Sequence, residues 1–180
     1  MYYYHALFFT ILLVFIAMCD LAAGLGGVSD WTCENNTPTA GAVCSGYISY
    51  WDGVYCDSNS NVIEIFKSYA ALTGTISSAI GQLTSLQYLY LDNNQLTGTI
   101  PSTIGLMTSL QDIRLSGNRL FGTIPTAIGL LTSLYDFDFS YNILTGTLPT
   151  ELGLLTTLQY MWLSGNMLFG TIPTEIGFMT

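Results

Sequence analysis

The sequence predicts a mixed α/β repeat solenoid, in which each coil contributes one short strand to a parallel concave sheet and a short β or 3-10 segment to the outer side. A 24-residue period runs four times without a gap between residues 83 and 178. Within each period apolar residues alternate with outward residues, which is typical of a strand with one buried face. Half of the residues are hydrophobic and only 8% are charged, which favours a fold with many inward positions.

The N-terminus is typical of an export signal. Residues 6–19 form an apolar run that is too short to span a bilayer comfortably, and small residues follow at 22–24. We therefore predict a signal peptide over residues 1–23, with cleavage near Ala23. Cleavage at Ala17, or an uncleaved anchor, stays open because no Lys or Arg precedes the apolar run.

Residues 24–61 are predicted to form an N-terminal cap. The four cysteines, at positions 19, 33, 44 and 56, all lie in the first third of the chain, which suits an oxidised cap in an exported protein. Cleavage near Ala23 would leave an odd number of them. The Asn35-Asn36-Thr37 tripeptide is an acceptor for N-glycosylation at Asn35, which is consistent with export.

Four segments superimpose in one register: 83–106, 107–130, 131–154 and 155–178. Each segment has an Asn, a Gly and a Pro at the same three positions, and a short strand is expected just before the Asn. The Gly permits a bend, and the Pro removes a hydrogen-bond donor from the outer segment. The asparagine column consists of Asn94, Asn118, Asn142 and Asn166.

These four segments resemble the plant-type leucine-rich repeat, LxxLxxLxLxxNxLxGxIPxxLGxL, at nearly every consensus position. The resemblance implies a right-handed superhelix whose strands form the concave sheet. It also implies that each Asn of the column satisfies backbone groups where the chain turns inward, because a buried amide is tolerated only when it is bonded. The chain resembles the ectodomains of plant receptor kinases and receptor-like proteins, and secreted polygalacturonase inhibitors.

Residues 62–82 form a degenerate first repeat. Lys67 stands where an apolar residue is expected and Ala70 replaces the Asn, so we expect a looser coil or a displaced strand. Residues 179–180 begin a fifth repeat. An array that stops within a repeat leaves its core uncovered, so the isolated chain is expected to self-associate.

The segment 51–56, WDGVYC, resembles the end of the cap that precedes plant-type repeats. In that cap the partner cysteine usually stands two residues before the Trp, a position that Ser49 occupies here. The nearest cysteine is Cys44, so we expect either an insertion in the cap or a different pairing. Cys44–Cys56 is the preferred disulfide, and Cys33 is left without an assigned partner. Spacing alone does not fix the connectivity.

The outward strand positions should build one continuous concave face that is aromatic at both ends and acidic between. Variable residues on an invariant frame carry specificity in repeat proteins, and Tyr and Trp are frequent interface anchors. We predict that this face binds a protein or peptide; the alternative is that its residues are merely solvated strand residues. The predicted ligand-binding residues are Glu64, Phe66, Tyr88, Tyr90, Asp92, Asp112, Arg114, Asp136, Asp138, Tyr160 and Trp162.

Several function classes are disfavoured by the residues present. Three basic residues in a chain of net charge -9 cannot neutralise a run of phosphates, so nucleic acid is not an expected partner. The only His, His5, lies in the predicted leader, which excludes a Ser/His triad or a His-ligated metal from the mature chain. We predict no catalytic residue, no metal site and no cofactor, and expect membrane association only through a span outside this sequence or an uncleaved leader.

The sequence leaves three alternatives to receptor-like recognition open. A secreted inhibitor of a cell-wall-degrading enzyme would use the same concave face. A glycosidase could use Asp112, Asp136 and Asp138, but an open face offers no pocket to raise the pKa of one acid. An ice-binding solenoid could use the column Thr75, Thr99, Thr123, Thr147 and Thr171, although Phe121 and Phe169 interrupt the paired threonines, and cross-strand Thr pairs stabilise sheets without a ligand.

Overall fold

The computed structural model describes residues 18–26 and 51–178, together with the backbone of four two-residue strands between them. A helix, α1, covers residues 18–25. The four short strands form two antiparallel pairs, β1 with β2 and β3 with β4. Their bounds are β1 (Cys33–Glu34), β2 (Thr37–Pro38), β3 (Cys44–Ser45) and β4 (Ile48–Ser49).

The concave sheet has six strands in the order β5-β6-β7-β8-β10-β12. β5 pairs antiparallel to β6, and every later pair is parallel and advances by one 24-residue repeat, as in the pairing of Tyr90 with Arg114. The predicted solenoid with a parallel concave sheet is thus confirmed. The strands are β5 (Val54–Cys56), β6 (Val62–Phe66), β7 (Tyr88–Tyr90), β8 (Asp112–Arg114), β10 (Asp136–Asp138) and β12 (Tyr160–Trp162).

A second sheet, which we call the lateral sheet, lies after the asparagine column in each coil. It consists of β9 (Phe121–Gly122), β11 (Ile143–Gly146) and β13 (Met167–Leu168), all parallel, and isolated bridges extend it to earlier coils. Paired residues on adjacent strands of this sheet are 22 residues apart in the sequence, as in the pairing of Phe121 with Ile143. The lateral sheet is therefore staggered by two residues relative to the concave sheet.

The outer side of each coil is a single 3-10 turn. Ser77 caps the first turn through its side chain, and a proline in extended conformation precedes each of the next three. Proline suits this place because its missing donor is not needed at a helix start. The turns are η1 (Ser78–Gln82), η2 (Ser102–Leu106), η3 (Thr126–Leu130), η4 (Thr150–Leu154) and η5 (Thr174–Phe178).

The core between these layers is built from Leu and Ile at equivalent positions of successive coils. Phe137 and Phe139 replace aliphatic residues in the fourth coil, and both are fully buried with ring centroids 4.1 Å apart in an edge-to-face arrangement. The larger rings fill the same columns that Ile113 and Leu115 fill one coil earlier. The frame thus tolerates a change of core volume without a change of strand register.

The asparagine column connects adjacent coils through side-chain hydrogen bonds. In Asn118, Oδ1 accepts from the Leu96 N–H at 2.9 Å, and Nδ2 donates to the Leu91 and Leu115 carbonyls at 3.0 Å. Asn94, Asn142 and Asn166 bond in the same manner. These amides supply the backbone partners that the inward turn would otherwise leave unbonded.

The expectation of a loosened first coil is wrong. β6 pairs with β7 in regular register, and Asn94 Oδ1 accepts from the Ala70 N–H where the first coil lacks its own Asn. Lys67 is buried, and its Nζ lies 2.8 Å from the Asp52 carboxylate, so its charge is paired. The ion pair with Asp52 thus accommodates Lys67, and the hydrogen bond to Asn94 accommodates Ala70.

Helix α1 belongs to the folded cap. Met18, Leu21 and Leu25 are fully buried in the common core, and the Gly24 and Leu25 carbonyls accept hydrogen bonds from the Thr75 and Gly74 N–H groups. The predicted signal peptide, 1–23, therefore includes four residues that are buried in the core of the domain, Met18, Cys19, Leu21 and Ala22. Among the described residues no helix is both long and apolar enough to cross a membrane.

Cys19 and Cys56 are both disulfide-bonded. The side chains of Cys33 and Cys44, and the whole of Asn35, lie outside the described residues, so the Cys44–Cys56 pairing and the glycan stay predictions. Residues 179–180 also lie outside the described residues, so the start of a fifth repeat stays a prediction.

Candidate functional site

The predicted ligand-binding residues lie on one face, at alternate positions of β6, β7, β8, β10 and β12, with Asp92 just after β7. The residue between each pair faces the core: Ile65, Leu89, Ile113 and Phe137 are fully buried. Phe66 and Tyr160 are exposed near the two ends of the face, and Trp162 is 54% exposed. The pleat of the strands thus places these side chains on the concave face, where most are exposed or half-buried, but Asp112 is buried.

An ion-pair cluster lies at the centre of the face. Arg114 Nη2 lies 2.9 Å from Asp112 Oδ2 and 3.3 Å from Asp136 Oδ2, and Arg114 Nε donates to Asp112 Oδ1 at 3.2 Å. In sequence register Arg114 stands opposite Asp138, but its guanidinium turns to the other two carboxylates. Asp138 instead accepts from the Ser140 N–H and hydroxyl.

Tyr90 joins this cluster to the aromatic end of the face. Its hydroxyl donates to Asp112 Oδ2 at 2.9 Å, and the Arg114 guanidinium carbon lies 5.0 Å from its ring centroid. Phe66 packs edge-on against the same ring, with centroids 5.8 Å apart. Together these contacts fix the Tyr90 and Arg114 side chains before any ligand arrives.

The electrostatics follow from this packing. Burial, and then the hydrogen bond to the Asp112 carboxylate, raise the pKa of Tyr90. Burial and the nearby charge of Asp112 raise the pKa of Asp136, against the lowering effect of Arg114, and burial raises the pKa of Glu64. The hydrogen bond to Asp112 raises the pKa of Arg114, which keeps the guanidinium charged.

Two depressions flank Arg114, which lines both. The first, here called the Trp162 depression, has a volume of about 370 Å³ and combines Trp162 with the carboxylates of Asp136 and Asp138. The second, the Phe66 depression, has a volume of about 250 Å³ and combines Phe66 and Tyr90 with Asp92. The sequence analysis expected an open face without a pocket, whereas the structure has two shallow depressions of similar chemistry.

Two tyrosines that line these depressions were missed by the sequence prediction. Tyr69 and Tyr141 are exposed and adopt the left-handed backbone conformation, with φ of 56° and 51°. Tyr141 directly precedes the column residue Asn142, where the other repeats have Asn93, Gly117 and Gly165. A bulky aromatic residue at a position that favours Gly or Asn was the available signal.

Among the described residues, no group of three or more Cys, His, Asp or Glu side chains could hold a metal ion. Asp92 Oδ2 accepts a hydrogen bond from the Asn93 amide at 2.7 Å, and Asp92 Oδ1 accepts one from the Ser68 hydroxyl. Asp136 Oδ1 is buried without a hydrogen-bond partner. What the face offers chemically is aromatic surface and carboxylate acceptors.

The fold is that of a stacked-repeat solenoid, and the comparisons agree. A leucine-rich repeat family model matches residues 70–120, and a second one matches residues 157–179. A chain of the BIR3–SERK2 complex from Arabidopsis thaliana is 33% identical at a TM-score of 0.75, over 88% of this chain and 86% of that one. The chain belongs to the leucine-rich repeat family and resembles its plant receptor ectodomains.

Two further solved structures are similar. The PEPR1–AtPEP1 structure has a TM-score of 0.81 and 32% identity over 92% of this chain, but over only 23% of its own. A plant ice-binding protein has a TM-score of 0.75 and 30% identity, over 91% of this chain and 51% of its own. A search of curated protein sequences found no match.

Proposed function

We propose that this protein is an extracellular recognition module that binds a protein or peptide ligand on its concave face, in the manner of a receptor ectodomain. The observation that carries the proposal is the row of aromatic and acidic side chains on consecutive strands, held by packing and ion pairs, with Phe66, Tyr160 and Trp162 exposed. Such preorganised aromatic residues bind at a low cost in conformational entropy.

Similar structures support this proposal. Two of them are complexes by their names, BIR3 with SERK2 and PEPR1 with AtPEP1. A third is the ectodomain of the plant membrane receptor kinase GASSHO1/SCHENGEN3, solved with CASPARIAN STRIP INTEGRITY FACTOR 2. Extracellular localisation is part of the proposal, and the same likeness together with the predicted apolar leader supports it.

The test is a matched pair of substitutions in the presence of a partner captured by pull-down. Trp162→Ala removes an exposed anchor of the concave face, and we expect it to weaken binding by about 2 kcal/mol or more, which is roughly thirtyfold. Thr126→Ala, at the start of the outer turn η3, should leave binding unchanged. Equal binding by the two variants would refute the concave site, and loss only in Thr126→Ala would move it to the opposite side.

A secreted inhibitor of a cell-wall-degrading enzyme remains the alternative within the same class. It would use the same face, so the Trp162→Ala comparison does not separate it from a receptor. A transcript that continues beyond residue 180 into an apolar span would favour the receptor. Inhibition of a purified polygalacturonase by this chain would favour the inhibitor.

Ice binding is a second candidate because a plant ice-binding protein is among the similar structures. The stagger of the lateral sheet weakens it: Thr75 pairs with Thr97, but Thr99 pairs with Phe121. The exposed threonines therefore do not form a continuous cross-strand array. Thermal hysteresis should be absent, and a freezing-point gap that vanishes on Thr99→Leu with Thr123→Leu would reverse the ranking.

A further inference from the structure

We infer that the concave face selects an extended peptide with two cationic side chains about four residues apart, one for each depression. This inference rests on the proposed function and specifies the chemistry of the ligand. It is carried by the charge balance of the face, by the matching composition of the two depressions, and by the distance between them.

The balance of charges on the concave face favours a ligand with cationic side chains. Five carboxylates lie on the face, and Arg114 is its one cation, since the other two basic residues of the chain are Lys67, which pairs with Asp52, and Arg119, which lies outside the concave strands. Arg114 is bonded to Asp112 and Asp136, so its charge is already committed. The five carboxylates belong to Glu64, Asp92, Asp112, Asp136 and Asp138.

Each depression pairs an aromatic surface with a carboxylate. In the Trp162 depression, Asp138 and Trp162 are direct neighbours on adjacent strands, and the indole is more than half exposed. In the Phe66 depression, the rings of Phe66 and Tyr90 stand beside Asp92. A guanidinium or ammonium group gains from an aromatic face and a carboxylate together, and arginine suits such a place because its planar group stacks.

The geometry sets the spacing. The Phe66 depression is lined from β6 to β8 and the Trp162 depression from β8 to β12, so their centres lie two to three strands apart, about 10–14 Å. An extended peptide advances about 3.3 Å per residue, and its alternate side chains share one face. Residues i and i+4, about 13 Å apart, meet both conditions, whereas i+2 is too close and i+3 points away.

The probe is a short acetylated and amidated Gly/Ser peptide with two arginines four residues apart. The readout is the NMR signal of the Trp162 indole N–H, identified by its loss in Trp162→Phe. We expect a saturable shift that weakens with added salt. Affinity should fall at least about tenfold when both arginines are replaced by citrulline, and about as much when they stand three residues apart.

Two protein variants make the test specific. Asp138→Asn should weaken binding of this peptide at least about tenfold. Glu151→Gln makes the same change of charge on the outer turn η4 and should leave the affinity unchanged. Both variants keep the size of the side chain and leave Arg114 and its two partners in place.

The inference is overturned if citrulline binds as well as arginine, if the two variants behave alike, or if no saturable shift occurs up to about 10 mM peptide. In each case a natural partner that is lost on Trp162→Ala would still support concave recognition. If that partner is insensitive to Trp162→Ala, the proposed function fails on its own test.

Discussion

The asparagine column shows how one side chain per coil stabilises the stack. Asn118 uses both ends of its amide, because Oδ1 serves the preceding coil and Nδ2 serves carbonyls of both coils. These groups are buried, and an unbonded buried amide or carbonyl costs about 1–3 kcal/mol. An aspartate of the same shape would keep the acceptor but lose the donor.

Asn118→Asp should therefore be strongly destabilising. A carboxylate would face the Leu91 and Leu115 carbonyls without a partner, and we expect the free energy of unfolding to fall by about 3–5 kcal/mol. Urea denaturation at neutral pH measures this change. Gln95→Glu, an exposed amide-to-acid change in the preceding coil, should stay within about 0.5 kcal/mol, and similar losses in both would refute the bonding role.

The ion pair between Asp52 and Lys67 predicts a pH dependence. The hydrogen bond from Lys67, and then its charge, hold the pKa of Asp52 below its usual value. A carboxyl with a depressed pKa stabilises the fold above its unfolded pKa, and the contribution is lost as the pH falls through the folded pKa. The difference in melting temperature between wild type and Asp52→Asn should be constant above about pH 5 and shrink below about pH 4. A difference that persists unchanged at about pH 2.5 would contradict this account.

For single residues, the sequence predicted where a side chain lies better than which residue it bonds to. The 24-residue period placed the asparagine column and the outward residues of each strand, because both depend on local register. It marked Lys67 as out of place but could not name Asp52, which lies 15 residues earlier. The strand register sets Arg114 opposite Asp138, whereas the guanidinium binds Asp112 on its own strand and Asp136 on the next.

At the scale of the elements, the lateral sheet is the main departure from the sequence analysis. The threonines at 24-residue intervals look like one column, but the sheet pairs residues 22 apart. Between these coils the Thr99 methyl lies over Gly122, where a Cβ would come within 3.0 Å of it and φ is 82°. Such a contact between coils is invisible in a single repeat.

Helix α1 gives a prediction about processing. Because Met18 and Leu21 are fully buried and Cys19 is disulfide-bonded, we expect cleavage of any leader at or before Ala17. A chain starting at Met18 should be more stable than one starting at Gly24 by several kcal/mol, since a buried Met or Leu side chain contributes about 1.5–3 kcal/mol. Urea denaturation and N-terminal sequencing of secreted protein check both points.

A control separates packing from the disulfide. Cys19→Ala in the chain that starts at Met18 keeps the apolar contacts of α1 and removes only its covalent link. Its stability should fall between those of the two truncated forms. If secreted protein begins at Gly24 and unfolds at the same urea concentration as the longer chain, α1 is not part of the mature domain.

For the whole molecule, the central claim is that one face of the solenoid recognises a ligand and the other does not. The two faces differ in what they present. The concave face carries rings and carboxylates fixed by neighbouring coils, while the outer side carries 3-10 turns of mainly small and aliphatic residues, with Glu151 in η4. The period in the sequence was enough to predict this division, but the two depressions depend on side-chain conformations that no pattern specifies.

The most direct measurement is hydrogen–deuterium exchange of the protein with and without its captured partner. We predict slower exchange in the segments that hold the concave strands β7, β8, β10 and β12, and unchanged exchange in η2, η3 and η4. Slower exchange confined to the outer turns, or to the lateral strands β9, β11 and β13, would contradict the account.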